Sequence, residues 1–381
     1  MIKRTTISGL ALLFLLPIGC ENVQWGLPEE YGGSGVQTTA PTNTSFQITS
    51  EYQIAVPAEA QRVQAWIPLA SERDDSQNVS DLQIDGPATY QKVEDDYGND
   101  YAYFDLEAPE EAVLIINQTF SLSRSESLNK VSPRSTQALS EEDRAVMAQY
   151  LRPGTYVTID DTIRNQAKQI IGEETNPVLA AREIYRWCVA NLENPGKRGA
   201  TTRSPMGNTR YALSNKTGSS LDIHSLYVSL TRASGIPARL VHGALLNPSL
   251  DGSGLHIGTH SWAEFYANGL GWIPVDVAVG DVYDGEVAIT NSNRNSIIRS
   301  TATGYTKPSK KQVDYYFGSL DARRLTWNRG RDIVMKDPTQ GGNPINAMNK
   351  PYVEIDGVSV SNWTGKVTFS SGGTVIEQAN P

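Results

Sequence analysis

Gly218-Ser219-Ser220-Leu221-Asp222, then Thr259-His260-Ser261-Trp262-Ala263-Glu264-Phe265-Tyr266, then Gly271-Trp272-Ile273-Pro274-Val275-Asp276 are the stretches on which the reading of this chain turns. Ile223, Leu226, Tyr227 and Leu230 recur at helical spacing, so residues 221–234 are read as a helix that Gly235 ends. Residues 238–246 read as a strand. Residues 259–266 and 272–277 read as two strands around Asn268-Gly269, a strong hairpin signal. This order places a nucleophile-type side chain, a histidine and an aspartate on successive elements, the arrangement that acyl chemistry needs.

Ser220 falls at a helix N-terminus, where free N–H groups and the helix dipole favour negative charge. Such a site lowers a thiol's pKa and helps bind an oxyanion. Asp276 falls near the point opposite His260 on the hairpin. Cross-strand neighbours on one face lie about 5 Å apart, close enough for an aspartate to orient the imidazole. Each residue also has a plain structural reading. Serine is a favoured N-cap, worth roughly 1 kcal/mol. Asp222 complements the dipole of the first helical turn. Trp262 and Trp272 suit a core or a cleft wall, and Arg239 suits an ion pair.

The four histidines, His224, His242, His256 and His260, all lie in this segment. His256 and His260 are four apart with Glu264 nearby, but that spacing serves metal binding on helices, and this stretch reads as loop into strand. No metal and no cofactor are expected. Cys188 lies on the apolar stripe of a helix with Ala181, Ile184, Tyr185 and Leu192. Burial there raises a thiol's pKa and makes it a poor nucleophile.

Outward from this segment, Phe46, Ile48, Tyr52, Ile54 and Val56 share one parity, as a half-buried strand requires. Val63, Ala65 and Ile67 alternate before Pro68, Tyr97-Gly98-Asn99 reads as a turn, and residues 112–120 read as a strand. Residues 45–125 are therefore expected to form a β-sandwich-like domain. Helices follow: Ser140 opens a capping-box-like start, Asp160 precedes a helix that Gly172 stops, and Asn176-Pro177 opens a third. Residues 193–217 read as a long loop leading to Ser220.

Residues Gly218-Ser-Ser-Leu-Asp-Ile-His-Ser-Leu226, Gly235-Ile-Pro-Ala-Arg239, His260-Ser-Trp-Ala-Glu264 and Gly271-Trp-Ile-Pro-Val-Asp276 together resemble the core of bacterial transglutaminase-like proteins of the papain-like superfamily. The resemblance extends to Val63–Pro68, Tyr316–Arg323, Arg329–Asp332 and Pro351–Gly357, and so to most of residues 45–357. It implies an α+β fold: a papain/transglutaminase-like core of helices packed on an antiparallel sheet, preceded by the β-sandwich-like domain. It also implies that Ser220, His260 and Asp276 hold the catalytic positions, with Asp222, Trp262 and Trp272 lining or supporting the cleft. The family pattern is Gly-x-Cys-x-Asp, and here Ser220 stands in place of the cysteine. A serine hydroxyl needs a strong general base at the moment of attack, which a site shaped for a thiolate does not automatically provide.

The N-terminus sets the compartment. Lys3 and Arg4 precede an apolar run, Ile7–Leu16, too short for an ordinary membrane span. Gly19-Cys20 follows and resembles a bacterial lipoprotein cleavage site, which implies residues 1–19 as a signal peptide, Cys20 as a lipidation site and residues 20–44 as a tether; the alternative is a plain secretory signal cleaved nearby. With Cys20 lipidated, Cys188 is the other cysteine and no internal disulfide forms. The remaining division is residues 126–340 as the transglutaminase-like core and 341–381 as a C-terminal strand extension. The net charge of −9, with no basic cluster beyond Lys310-Lys311 and Arg323-Arg324, argues against a nucleic-acid partner. The expected partner is a peptide or protein, with the membrane reached only through the lipid. Three readings follow: a catalytically silent or weakened member that binds in its cleft, an active Ser-His-Asp variant cutting or transferring at amide bonds, or a structural component of the cell envelope.

Overall fold

A computed structural model describes residues 42–72, 75–128, 131–195, 202–246, 258–285, 287–288, 305–306 and 308–375. The signal peptide, Cys20, most of the tether, His256 and nearly all of 286–307 lie outside the described residues.

The chain opens with strands β1 (Asn43–Ala55), β2 (Arg62–Pro68), β3 (Gln77–Asp85), β4 (Gln91–Glu94), β5 (Asp100–Glu107), β6 (Val113–Ser125) and the short β7 (Ser127–Leu128). Helices α1 (Glu141–Val146), α2 (Asp161–Ile171), α3 (Pro177–Asn191), α4 (Thr209–Asn215) and α5 (Ser220–Ala233) come next. Then follow β8 (Ala238–Leu245), β9 (Gly258–Ala267), β10 (Gly271–Val275), α6 (Val277–Val282), β11 (Val287–Ala288) and β12 (Tyr305–Thr306). The described chain ends with α7 (Lys310–Tyr315), β13 (Ser319–Leu320), β14 (Arg324–Arg329), β15 (Tyr352–Ile355), β16 (Val358–Val360) and β17 (Trp363–Val375).

The strand-rich part is a sandwich of two antiparallel sheets, ordered β17-β1-β6-β3 and β16-β15-β2-β5-β4. Tyr52 and Ile54 of β1 and Leu114 and Ile116 of β6 meet Val63, Ala65 and Ile67 of β2 and Ala102 and Phe104 of β5 between them. Alternation along β1 is clean, with Phe46, Ile48, Ser50, Tyr52 and Ile54 buried and the residues between them exposed. Strand β2 departs from the expected alternation, because it is buried on both faces after Arg62. Its second face puts Trp66 against Tyr101, Tyr103, Ile333, Met335 and Met348.

The strands of residues 341–381, read as a C-terminal extension, pair back onto the N-terminal sheets. Strand β15 pairs with β2, Tyr352 opposite Trp66, and β17 runs along β1 from Trp363 to Val375. The C-terminal strands complete both sheets of the sandwich, so that unit is built from the two ends of the chain, with the helical core inserted between them. Sequence spacing carries no sign of this, because register between strands so far apart in the chain leaves no local period.

The core packs its helices on the sheet β10-β9-β8-β14. Ala263, Phe265 and Ala267 of β9 join Leu240 of β8 under Ile223, Leu226, Tyr227 and Leu230 of α5. The helix starts follow the predicted caps: Ser140 with Asp143 in a capping box, Asp160 accepting from Ile163, and Asn176 accepting from Val178 and Leu179. Residues 193–217 are not wholly loop: Asn208 caps α4, a helix too short to show a period.

Sandwich and core share a joint. Phe46, Ile48, Phe120 and Leu122 pack on Ala244, Leu246, Leu325 and Trp327. The buried Arg124 donates to Gln77 Oε1 (3.2 Å) and Thr326 Oγ1 (3.1 Å), and Thr326 N–H donates back to Gln77 Oε1 (2.8 Å). Gly243 marks the tightest point of the core sheet. A Cβ there would lie 2.1 Å from the Leu325 carbonyl and 2.7 Å from the Trp262 ring. Gly243→Ala is expected to lower stability by at least about 1–3 kcal/mol, the usual cost of overpacking. A urea midpoint unchanged from the parent would contradict this.

Candidate active site

Ser219, not Ser220, is the N-cap of α5: its hydroxyl accepts from Asp222 N–H, and the Asp222 carboxylate accepts from Ser219 N–H at 2.9 Å. The capping value assigned to Ser220 therefore belongs to its neighbour. Ser220 is the first helical residue and is partly exposed, with no capping task of its own. Asp222, fully buried, also accepts from Asn208 N–H (2.7 Å) and from the Ser204 hydroxyl, and so fixes residues 204–208 against the start of the helix. Gly218 is required there, because a Cβ at that position would sit 2.5 Å from Asp222 Cβ. Asp222 is a brace beneath Ser220, which is more than the dipole partner read from sequence.

The Ser220 hydroxyl accepts the backbone N–H of Ser261 at 3.3 Å. Among the described residues it has no hydrogen bond to His260. His260 lies at the start of β9, paired with Gly243 of β8, and is buried. Its Nε2 donates to Asp276 Oδ2 at 2.8 Å. That bond fixes the tautomer and leaves Nδ1 with its lone pair. The ring stacks on Trp262, 6.1 Å between centroids at 25°.

The His260–Asp276 contact forms, but not as a directly opposed strand pair. Val275 pairs with Ala263, which puts Asp276 level with Trp262, two residues along from His260 on the same face. Asp276 closes the gap by leaving the strand: it is the N-cap of α6, and its Oδ1 accepts from Val279 N–H at 3.0 Å. Its Oδ2 accepts a second donor, the charged Arg324 Nη1, at 2.6 Å. Both side chains are fully buried. Burial by itself would raise the Asp276 pKa; the interactions with His260 and Arg324 outweigh it and hold the group well below the usual carboxylate range. Arg324 Nε donates to Asp321 Oδ2 at 3.0 Å, so one guanidinium bridges two carboxylates.

Arg324 is the site residue that sequence reasoning missed. It was visible only as half of the Arg323-Arg324 pair, and nothing in local spacing says which of two adjacent arginines turns inward. The structure separates them: Arg323 donates to the Leu246 carbonyl and stays partly buried, while Arg324 begins β14 opposite Leu245. His224 and His242 were likewise noted without a role. His224 Nδ1 lies 2.7 Å from the Ser220 carbonyl, and its Nε2 accepts Val277 N–H at 2.9 Å. His242 Nε2 lies 2.9 Å from the Gly330 carbonyl, and its Nδ1 lies 3.2 Å from the Ser261 hydroxyl. Burial pushes both imidazoles down to about 4, and the Arg331 charge adds to this at His242.

The two tryptophans take different places. Trp262 is core, packed with Val241, Leu245, Val279, Tyr316 and Leu320 beneath His260. Trp272 pairs with Tyr266 at the turn end of the hairpin, about 20 Å along the strand from His260 at roughly 3.3 Å per residue. There it packs on Tyr150 and under the Arg239 guanidinium, 3.9 Å above its ring, and Arg239 is itself paired with Glu264 at 2.6 Å. The structure thus brings together Ser220, His260, Asp276, Asp222 and Trp262 and leaves Trp272 outside the group. Cys188 is buried within the helical core, and burial drives its thiol pKa upward, so it supplies no nucleophile in place of Ser220.

The profile of the transglutaminase-like superfamily matches residues 164–277, from α2 through Asp276 to the first residue of α6. A Haemophilus influenzae protein, described only as uncharacterized, is 25% identical over 344 residues, which cover 84% of this chain and 88% of that protein. Among solved structures, a candidate cysteine protease from Cytophaga hutchinsonii aligns with a TM-score of 0.47 and 16% identity, covering 87% of this chain and 98% of its own. The periplasmic domain of TgpA from Pseudomonas aeruginosa aligns with a TM-score of 0.32 and 16% identity, covering 62% of this chain and 90% of its own. The chain carries a transglutaminase-like domain of mixed α+β architecture, set between the two ends of a strand-rich unit.

Proposed function

We propose that this is an exported protein, lipid-anchored to the cell envelope through Cys20, whose transglutaminase-like site binds a peptide or protein while its covalent chemistry is silent or much weakened. The observation that carries this reading is the state of Ser220. Its hydroxyl is held by Ser261 N–H and makes no hydrogen bond to His260 among the described residues. A serine becomes a nucleophile only when a base takes its proton at the moment of attack, whereas a cysteine at the same helix start is partly thiolate beforehand. With the oxygen in place of sulfur, the helix dipole and the Ser261 N–H act on a group that stays protonated. No helix among the described residues is long and apolar enough to cross a membrane; the lipid attachment rests on the Gly19-Cys20 sequence.

One observation favours a second reading, an active serine hydrolase or acyl transferase. Asp276 occupies His260 Nε2 and leaves Nδ1 able to accept a proton, the state a general base requires. A serine-directed organophosphonate probe separates the two. The expected result is no labelling above that of Ser220→Ala. Labelling that Ser220→Ala abolishes would install the active reading in place of the silent one.

A further inference from the structure

His224 lies one helical turn after Ser220 on α5, fully buried, and its ring spans the gap between the first turn of α5 and the first turn of α6. The two bonds it makes define its state. A backbone carbonyl can only accept, so Nδ1 carries the hydrogen given to Ser220 C=O at 2.7 Å. A backbone N–H can only donate, so Nε2 offers its lone pair to Val277 at 2.9 Å. Both ring nitrogens are satisfied only in the neutral form with hydrogen on Nδ1, and burial, which pushes this imidazole down to about 4, keeps it there.

The two backbone groups that His224 joins belong to the ends of the candidate triad. Ser220 C=O is the main chain of the nucleophile position. Val277 N–H follows Asp276 directly. The same ring meets His260 edge-on, 6.1 Å between centroids at 89°. His260 is thus confined by Trp262 on its face, Asp276 at Nε2 and His224 against its side. The ring of His224 is what ties the Ser220 carbonyl to the start of α6.

We infer that His224 is a positioning residue of this site: it sets the separation between the position-220 side chain and the Asp276–His260 pair by stapling their backbones together. The inference rests on the reading that position 220 is the reactive point of the cleft, and the test keeps the two apart. Ser220→Cys in the full chain provides the probe, with iodoacetamide alkylation at position 220 read by peptide mass mapping, which distinguishes it from Cys20 and Cys188. Thiol reactivity reports the local geometry without requiring turnover.

In that background His224→Phe keeps a ring and removes both polar contacts. Alkylation of the introduced thiol is expected to slow by roughly tenfold or more, the scale of effect that sub-ångström to ångström misplacement produces. His224→Gln offers an amide donor and a carbonyl acceptor and is expected to stay within about threefold of the rate of Ser220→Cys alone. A rate in His224→Phe equal to that of Ser220→Cys alone overturns the inference and leaves the site reading intact. Equal slowing in His224→Gln also overturns it, because a packing role alone would then account for the loss. If His224→Phe does not fold, the His224→Gln rate decides by the same threshold. If Ser220→Cys alone is no more reactive than a free peptide thiol, the site reading falls, and the inference with it.

Discussion

Arg324→Met is expected to lower the unfolding free energy by about 3–5 kcal/mol, the cost of removing one partner from a buried ion pair. Arg324 and Asp276 are both fully buried at 2.6 Å, and the same guanidinium serves Asp321 through Nε. Removing it leaves the Asp276 Oδ2 to His260 alone among the described side chains, in a place where an unpaired carboxylate is strongly disfavoured. Arg324→Lys should recover little, since one ammonium cannot reproduce a planar fork that reaches two carboxylates from different nitrogens. Asp276→Asn combined with Arg324→Met should cost less than the sum of the two single changes, because the second change removes the charge that the first stranded. Urea unfolding of the parent, the two single variants and the double variant measures the cycle. A loss below about 1 kcal/mol in Arg324→Met would show that the pair is not the electrostatic keystone of the site.

The protein is expected to lose stability as pH falls from about 6.5 to about 4, through His224 and His242. Both are neutral when folded, with their pKa values pushed down to about 4 from 6.5. Well above pH 6.5 neither the folded nor the unfolded chain protonates them, and their contribution is fully present. Between 6.5 and 4 the unfolded chain takes up both protons while the folded chain resists, so stability falls as pH falls. The limiting slope for two such groups is ~2.7 kcal/mol per pH unit. Asp95 and Asp96, which burial holds above the ordinary carboxylate range, oppose this trend in the lower part of the window. The diagnostic quantity is therefore the difference between the parent and His242→Gln or His224→Gln. Each substitution should flatten the plot of urea midpoint against pH. Parallel plots for parent and variants would mean that these histidines titrate normally.

The parts of the site legible in the sequence share a physical character. Ser220, His260 and Asp276 each sit at an element boundary with a strong local signal: a capped helix start, a strand after a glycine-rich loop, and the end of a hairpin strand. The Asn268-Gly269 turn places His260 and Asp276 on neighbouring strands, and their same-face relation follows from parity. The residues that escaped notice are those whose role depends on distant chain. Arg324 reaches Asp276 from 48 residues away. His224 acts through main-chain groups of Ser220 and Val277, which no side-chain pattern records. Trp272 stands apart from the other site residues: its motif lies beside Asp276 in sequence, while the strand carries it to the opposite end of the hairpin.

By itself the sequence determined helices α1, α2, α3 and α5, the caps of the first three, the hairpin, the buried parity of β1, and the order of nucleophile position, histidine and aspartate. Those features are written in periods of two and 3.6 residues and in turn chemistry, all local. Only the tertiary structure decided that residues 352–375 close the sandwich begun at residue 43, and that a buried arginine shares the aspartate with His260. Only it showed that Ser220 rests on the Ser261 amide. These depend on which strand edges and which desolvated charges find each other once the chain has collapsed. Local pattern does not encode that choice, because pairing partners far apart in sequence leave no period behind.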